Sequence, residues 1–335
     1  MLFSNILDLP GLIMPPILLI TALVINIFAG RLTLLSRINV HPINTLGHLI
    51  NWFDLKLNRK NRSPMERLIR GCLTVMFFLL LGGVFGLVIA WLSNNYLFAC
   101  IFELLLLLIL IDQSNVYKTI LKIEVALYNG NLESARNIIS NLTNRSEEKM
   151  DSFCIARNAI EILATSLITR LLGPVFYYVL FGFVGVSLYH IIAAMNSKIG
   201  HKTDRYKEFG ITIRRLSSII LLAPGILAGF LIVLASLFIP TANPIKSCKS
   251  IFIYSDKYYS YNLGVALSAF AGSFNLALGG PQKYSKVIRR EPWIGSGTAR
   301  VTHRDIRRSL YLYATVCLLN ILLIVFLFLI EYIRI

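Results

Sequence analysis

Acidic residues are scarce in this chain. There are 17 Asp+Glu against 33 Lys+Arg, a formal charge of +16. Charged residues of both signs make up only 15% of the sequence, while 56% is hydrophobic and the mean hydropathy is +0.67. So little charge on so apolar a chain excludes an ordinary soluble domain, because one core cannot hide that much apolar surface. It excludes disorder for the same reason. A basic balance alone would suit a nucleic-acid binder. Here it fits instead a polytopic membrane protein whose charges sit in a few loops, and no nucleic-acid partner is expected.

Other absences narrow the chemistry. The five cysteines (Cys72, Cys100, Cys154, Cys248 and Cys317) are odd in number, widely spaced and form no CxxC. That argues against a disulfide framework or a zinc site. Cys72, Cys100 and Cys317 lie in apolar runs, where a thiol acts as a small hydrophobe. Of five histidines only His41 and His48 are close, and they lack a third ligand. No metal site is expected. No GxxxxGK[ST] is present, no GxGxxG follows a strand pattern, and no Ser/His/Asp set has a hydrolase context. The N-terminus lacks a basic n-region and its apolar run continues to Ala29. It reads as a first membrane span rather than a cleaved signal.

A span needs about 20 apolar residues. The candidates are Leu12–Ala29, Cys72–Leu92, Tyr96–Ile111, Leu171–Met195, Leu216–Ile239 and Leu310–Ile330. A weaker one is Leu263–Leu278, whose small residues suit the inside of a bundle. Positive charge marks the cytoplasmic side. Stretches 31–70, 113–157, 196–215 and 281–308 together hold 28 of the 33 basic residues. They share one face only if 158–195 enters and leaves on the same side, as a hairpin or re-entrant segment. Leu172-Gly173-Pro174 is the expected break, because proline removes a helical donor and disfavours helix before it. A kink in one long helix is the alternative. The resulting topology has the N-terminus outside, in a bacterial cytoplasmic (inner) membrane.

On the cytoplasmic side, Ile120–Tyr128 and Leu132–Leu142 read as short amphipathic helices, the second capped by Asn131. Segment 44–53 has apolar residues at helical spacing and suits an interfacial position. Ionisable residues at membrane depth are functional candidates by default. They are Glu103, Glu161, Arg170, His190 and Glu331, with His190 also readable as a hydrogen-bonded interface residue. The fold class expected is all-α: a polytopic helical membrane bundle with amphipathic cytoplasmic helices and a re-entrant or broken helix near Gly173-Pro174, in one domain.

The most specific stretch runs from Gly279-Gly280-Pro281-Gln282-Lys283-Tyr284 to Glu291-Pro292-Trp293-Ile294-Gly295. It resembles the GGPxxY…PWIG signature of the CobD/CbiB family, the membrane-bound adenosylcobinamide-phosphate synthases of cobalamin biosynthesis. His41-Pro42 with Gly47, Asn131 to Arg136, Glu161 to Phe176, Asn196 to Lys202 with Tyr206 and Gly210, and Ser260 with Asn262 resemble other family elements in family order. The resemblance covers about residues 20 to 320.

The resemblance implies amide formation between adenosylcobyric acid and an aminopropanol or its phosphate, with ATP and Mg²⁺ and a corrinoid substrate. It also exposes departures. Where the family carries acids or an amide, this chain has Asn26, Thr165, Ser166, Thr169, Asn196, Ser217-Ser218 and Leu267, and Arg170 replaces a glycine. Two readings stay open. One is a divergent synthase using Glu161 with Asp204 or Glu208 as acids. His41, Lys202, Lys283 and Arg290 would contact phosphates, and Tyr206, Asn262, Tyr284 and Trp293 would complete the substrate site. The other is a non-catalytic protein on the same scaffold, similar to AmpE-type signalling proteins, whose basic face binds anionic lipid headgroups or a protein. A transporter has only the break at Gly173-Pro174 in its favour.

Overall fold

The computed structural model describes residues 15–29, 42–59, 61–142, 150–201, 203–284, 287–289 and 291–334. In chain order the helices are α1 (Pro15–Ala29), α2 (Pro42–Leu57), α3 (Pro64–Asn95), α4 (Leu97–Leu110), α5 (Gln113–Tyr128), α6 (Leu132–Leu142) and α7 (Ser152–Ser166). A π-helical segment, Leu167–Leu172, leads into α8 (Gly173–Ile199). Then follow α9 (Ile211–Ile220), α10 (Leu222–Ser236), α11 (Pro244–Tyr254), a 3₁₀ turn (Ser255–Lys257) and α12 (Tyr261–Phe274). Strands β1 (Leu278–Gly279), β2 (Gln282–Tyr284), β3 (Val287–Arg289) and β4 (Trp293–Ile294) precede α13 (His303–Arg334). The all-α expectation therefore holds, apart from two minimal antiparallel ladders, β1 with β4 and β2 with β3.

Among the described residues, five helical stretches are long and apolar enough to cross a membrane: Pro64–Asn95, Leu97–Tyr128, Ser152–Ile199, Ile211–Ser236 and His303–Ile330. The protein is an integral membrane protein on this ground. The weak span at 263–278 is corrected. Its helix, α12, has 14 residues, about 21 Å, and every residue from Asn262 to Phe274 is buried. It is too short to cross and is enclosed on all sides, as its Gly, Ala and Ser content favours. Residues 241–261 contain α11, capped by Asn243, whose Oδ1 accepts the Lys246 N–H at 2.9 Å.

The chain divides into two compact units. The first comprises residues 1–111, 173–221 and 331–335. Its long helix α3 starts where Ser63 Oγ accepts the Glu66 N–H, with Pro64 in the first turn. α8 runs close beside α3 because Gly82 has no side chain: a Cβ there would lie 2.2 Å from Ile191 Cδ1. Ser187 Oγ donates to the Gly82 carbonyl at 2.8 Å across the same contact. Ile50, Val75, Phe78, Met195, Ile199, Phe209 and Ile213 form the core at one end.

Near Gly173-Pro174 the α-helix is interrupted by the π-helical segment Leu167–Leu172, and the chain's reversal comes further on, at Gly182. Gly182 has φ 60 and ψ −149, a conformation open essentially to glycine alone. The chain folds back there. Tyr177 and Tyr189, 12 positions apart, stack with ring centroids 5.7 Å apart. On a straight helix their Cα atoms would be separated by about 18 Å. Proline at 174 is accommodated differently. It has no N–H for the Arg170 carbonyl, which instead accepts the Asp112 N–H at 3.2 Å.

Two ionisable residues of this unit prove to be helix ties. Glu103 is buried and accepts the Tyr178 hydroxyl at 2.7 Å. His190 faces the carbonyls of Val186 and Leu110 at 2.9 and 3.1 Å.

The second unit comprises residues 112–172 and 222–330. α12 is its centre, packed by α7, α10, α11 and β4. α7 begins where Asp151 Oδ1 accepts the Cys154 N–H at 2.7 Å. α6 is capped as expected, with Asn131 Oδ1 accepting the Ser134 N–H at 3.0 Å.

Candidate functional site

The signature residues build a corner of the second unit. Strand β1 pairs with β4, setting Leu278 opposite Ile294 and Gly279 opposite Trp293. Gly280 follows with φ 80, and a Cβ there would lie 2.6 Å from the Trp293 ring. Glycine is required at that position so that the indole can lie flat on the backbone. Trp293 remains 41% exposed, so part of its ring is free to meet another group.

Helix α7 supplies the charge. Arg157 and Glu161 are four residues apart and so lie on one face of it. The Arg157 guanidinium sits 5.4 Å from the Trp293 ring centre and donates to the Ala299 carbonyl at 2.6 Å. The cation therefore ties α7 to the glycine-built corner and flanks the indole. Glu161 is only 5% exposed and accepts the Tyr258 hydroxyl at 2.9 Å. Burial and the neighbouring Glu161 hold the Tyr258 phenol well above its ordinary pKa, so it stays protonated and keeps donating. Asn262, also buried, lies in the first turn of α12, four residues after Tyr258.

The threonines that follow Glu161, on α7 and in the π segment, bring hydroxyls and no charge. Thr165 Oγ1 donates to the Glu161 carbonyl at 2.8 Å, and Thr169 Oγ1 to the Thr165 carbonyl at 3.1 Å. Arg170 pairs with Asp112 at 2.9 Å. Among the described residues no three His, Cys, Asp or Glu side chains converge as a metal cage. Among the described residues, Glu161 is the carboxylate of this corner that would hold a Mg²⁺, whose other ligands would then come from substrate phosphates.

The remaining expected site residues fall as follows. Asp204, Tyr206 and Glu208 belong to the first unit. Tyr206 donates to Asp54 Oδ2 at 3.1 Å, and Arg205 pairs with the same oxygen at 2.5 Å. Burial and Asp54 raise the Tyr206 phenol above its ordinary pKa. Glu208 pairs with Arg67 at 3.3 Å, and Asp204 is exposed. His41, Lys202 and Arg290 lie outside the described residues, as do the side chains of Lys283 and Tyr284 on β2. The structure thus brings Glu161, Asn262 and Trp293 into one unit and adds Arg157 and Tyr258, which sequence reasoning missed. For Arg157 a signal existed in its spacing of four from Glu161. For Tyr258 there was none, because its partner is 97 residues away.

Comparison with known proteins identifies the family. The family model described as CobD/Cbib protein matches residues 19–313. Cobalamin biosynthesis protein CobD of Sinorhizobium sp. is 28% identical over 309 residues, 90% of this chain and 94% of that protein. The protein of the same name from Brucella melitensis is 29% identical over 301 residues, 89% of this chain and 92% of that one. The one from Halalkalibacterium halodurans is 27% identical over 272 residues, 81% and 84% of the two chains. No solved structure matches. With its signature corner formed and the match running nearly end to end, this chain belongs to the CobD/CbiB family.

Proposed function

We propose that this protein is the amide-forming enzyme of cobalamin biosynthesis that joins an aminopropanol or its phosphate to the carboxylate of adenosylcobyric acid, using ATP. The observation that supports it most is the corner in which Gly280 lays Trp293 flat beside Arg157, one helical turn from Glu161. Amide formation needs the carboxylate to lose an oxygen, and ATP with Mg²⁺ supplies the leaving group. The protein's own share is then positioning and charge. Arg157 faces the negative charge of a phosphoryl or carboxylate group. Trp293 offers a flat apolar wall. Glu161, oriented by Tyr258, takes the proton of the attacking amine or shares in holding Mg²⁺. Asn262 offers an amide to a polar substrate group. Lys283, Tyr284 and Arg290, on the signature segment itself, are further substrate contacts.

The test is direct. The purified full-length protein is incubated with adenosylcobyric acid, aminopropanol phosphate and Mg-ATP, and the product mass is measured. Appearance of the amide supports the reading, and its absence from folded, lipid-reconstituted protein overturns it. A second reading, a non-catalytic family member, draws on one observation. Thr165 and Thr169 stand where the resemblance places an acid or amide, and their neutral hydroxyls bring no charge to neutralise Mg²⁺ beside Glu161. Mg-ATP binding that disappears in Glu161→Gln would count against it. The protein is assigned to the bacterial inner membrane with its N-terminus outside, on the asymmetry of its basic residues.

A further inference from the structure

Helix α2 has two apolar faces, and the first unit uses only one. Leu46, Ile50, Phe53 and Leu57 pack inward on the core that includes Val75, Phe78 and Met195. On the other side Leu49, Trp52 and Leu55 are exposed, Trp52 at 52% and Leu55 at 69%. The helix has 16 residues, about 24 Å, and so falls short of a bilayer's hydrocarbon core of about 30 Å. α2 does not cross, yet it presents a bulky apolar stripe outward.

Charge decides what covers that stripe. The Lys56 ammonium lies 4.6 Å from the Trp52 ring centre, and Arg59 is exposed two residues beyond the helix end. Asp54, the single acid of α2, is buried and turned inward to Arg205 and Tyr206. The outer face is therefore apolar and cationic with no carboxylate of its own. Trp at the edge, aliphatics beneath and cations beside them are the pattern of a helix lying in the headgroup layer. Long basic side chains reach from such a position to phosphates. Beside it, α3 extends the exposed apolar surface through Ile69, Leu73 and Met76 into a spanning helix.

We propose that the outer face of α2 docks on anionic phospholipid of the membrane that its neighbours span. Leu49, Trp52 and Leu55 sit at the boundary with the acyl chains, and Lys56 and Arg59 sit at the phosphates. This does not rest on the proposed enzymatic reaction.

The full-length protein is reconstituted in phosphatidylcholine vesicles with and without phosphatidylglycerol. Tryptophan quenching is measured with lipids brominated near the glycerol end, with lipids brominated at mid-chain, and with aqueous iodide. The signal of Trp52 is the wild-type quenching minus that of Trp52→Leu. The expected result is strongest quenching by the shallow bromines, rising about twofold with phosphatidylglycerol. That rise disappears in Lys56→Gln/Arg59→Gln, whose other tryptophans report an intact fold. Three outcomes overturn the proposal. One is strongest quenching by iodide or by mid-chain bromine. Another is equal quenching in the two vesicles. The third is shielding from all three quenchers, which would place a second copy of the chain on this face.

Discussion

Tyr258 is the residue that governs how Glu161 behaves. A buried carboxylate without a donor loses its solvation and gains nothing in return. The 2.9 Å bond from Tyr258 meets part of that need. Tyr258→Phe is therefore expected to cost about 1–3 kcal/mol, read as a lower midpoint in thermal unfolding in detergent. Tyr258→Phe combined with Glu161→Gln should cost less than the sum of the two, because the partners share one interaction. Strict additivity would contradict the link. The pH dependence has a definite sign. The folded pKa of Tyr258 is raised above its ordinary value of about 10, so its stabilisation is complete below that pH and lost as pH climbs toward the folded value. Above about pH 10 the wild type should lose stability more steeply than Tyr258→Phe. Parallel slopes would show that Tyr258 titrates as if exposed.

Among the elements, the fold-back in α8 is the most consequential. Its legs touch at Gly185, where a Cβ would lie 2.2 Å from the Tyr177 carbonyl oxygen. Gly83, by contrast, has open space, with its nearest neighbour at 3.9 Å. Gly185→Ala should destabilise by about 1–3 kcal/mol, while Gly83→Ala should be neutral or slightly stabilising. Equal effects would mean that the legs are not in contact. The position of this break was not legible in the sequence, for a physical reason. Pro174 removes a helical donor, and the expected consequence was a break there. The Asp112 N–H satisfies the orphaned Arg170 carbonyl, and a π segment absorbs the distortion. Gly182 sits in the apolar run Leu180-Phe181-Gly182-Phe183, where nothing local marks a turn. Local devices were legible: the Asn131 cap depends on residues three apart and formed as expected. The ladders of the signature corner were not, since strands of two or three residues show no periodicity.

At the scale of the whole molecule, the basic residues carry the clearest message. The sequence places 28 of 33 in four stretches, 20 of them ahead of residue 216. The fold-back at Gly182 lets stretches 113–157 and 196–215 share a face, because a chain that reverses can leave the membrane on the side it entered; with α12 not crossing, the same does not hold for 281–308. A reporter fused after Asn58 and one fused after His201 should both read cytoplasmic. A periplasmic reading at either would contradict the topology. Family membership was readable from Gly279 to Gly295 because that motif is contiguous, whereas the site's supporting contacts join residues far apart in the chain. On the function proposed above, this scaffold makes an amide through Glu161. The most direct measurement is growth of a strain lacking adenosylcobinamide-phosphate synthase under corrinoid-dependent conditions. The wild-type chain should restore growth, and Glu161→Gln, present in the membrane at the same level, should not. No growth with abundant wild-type protein, or equal growth with Glu161→Gln, would contradict the claim.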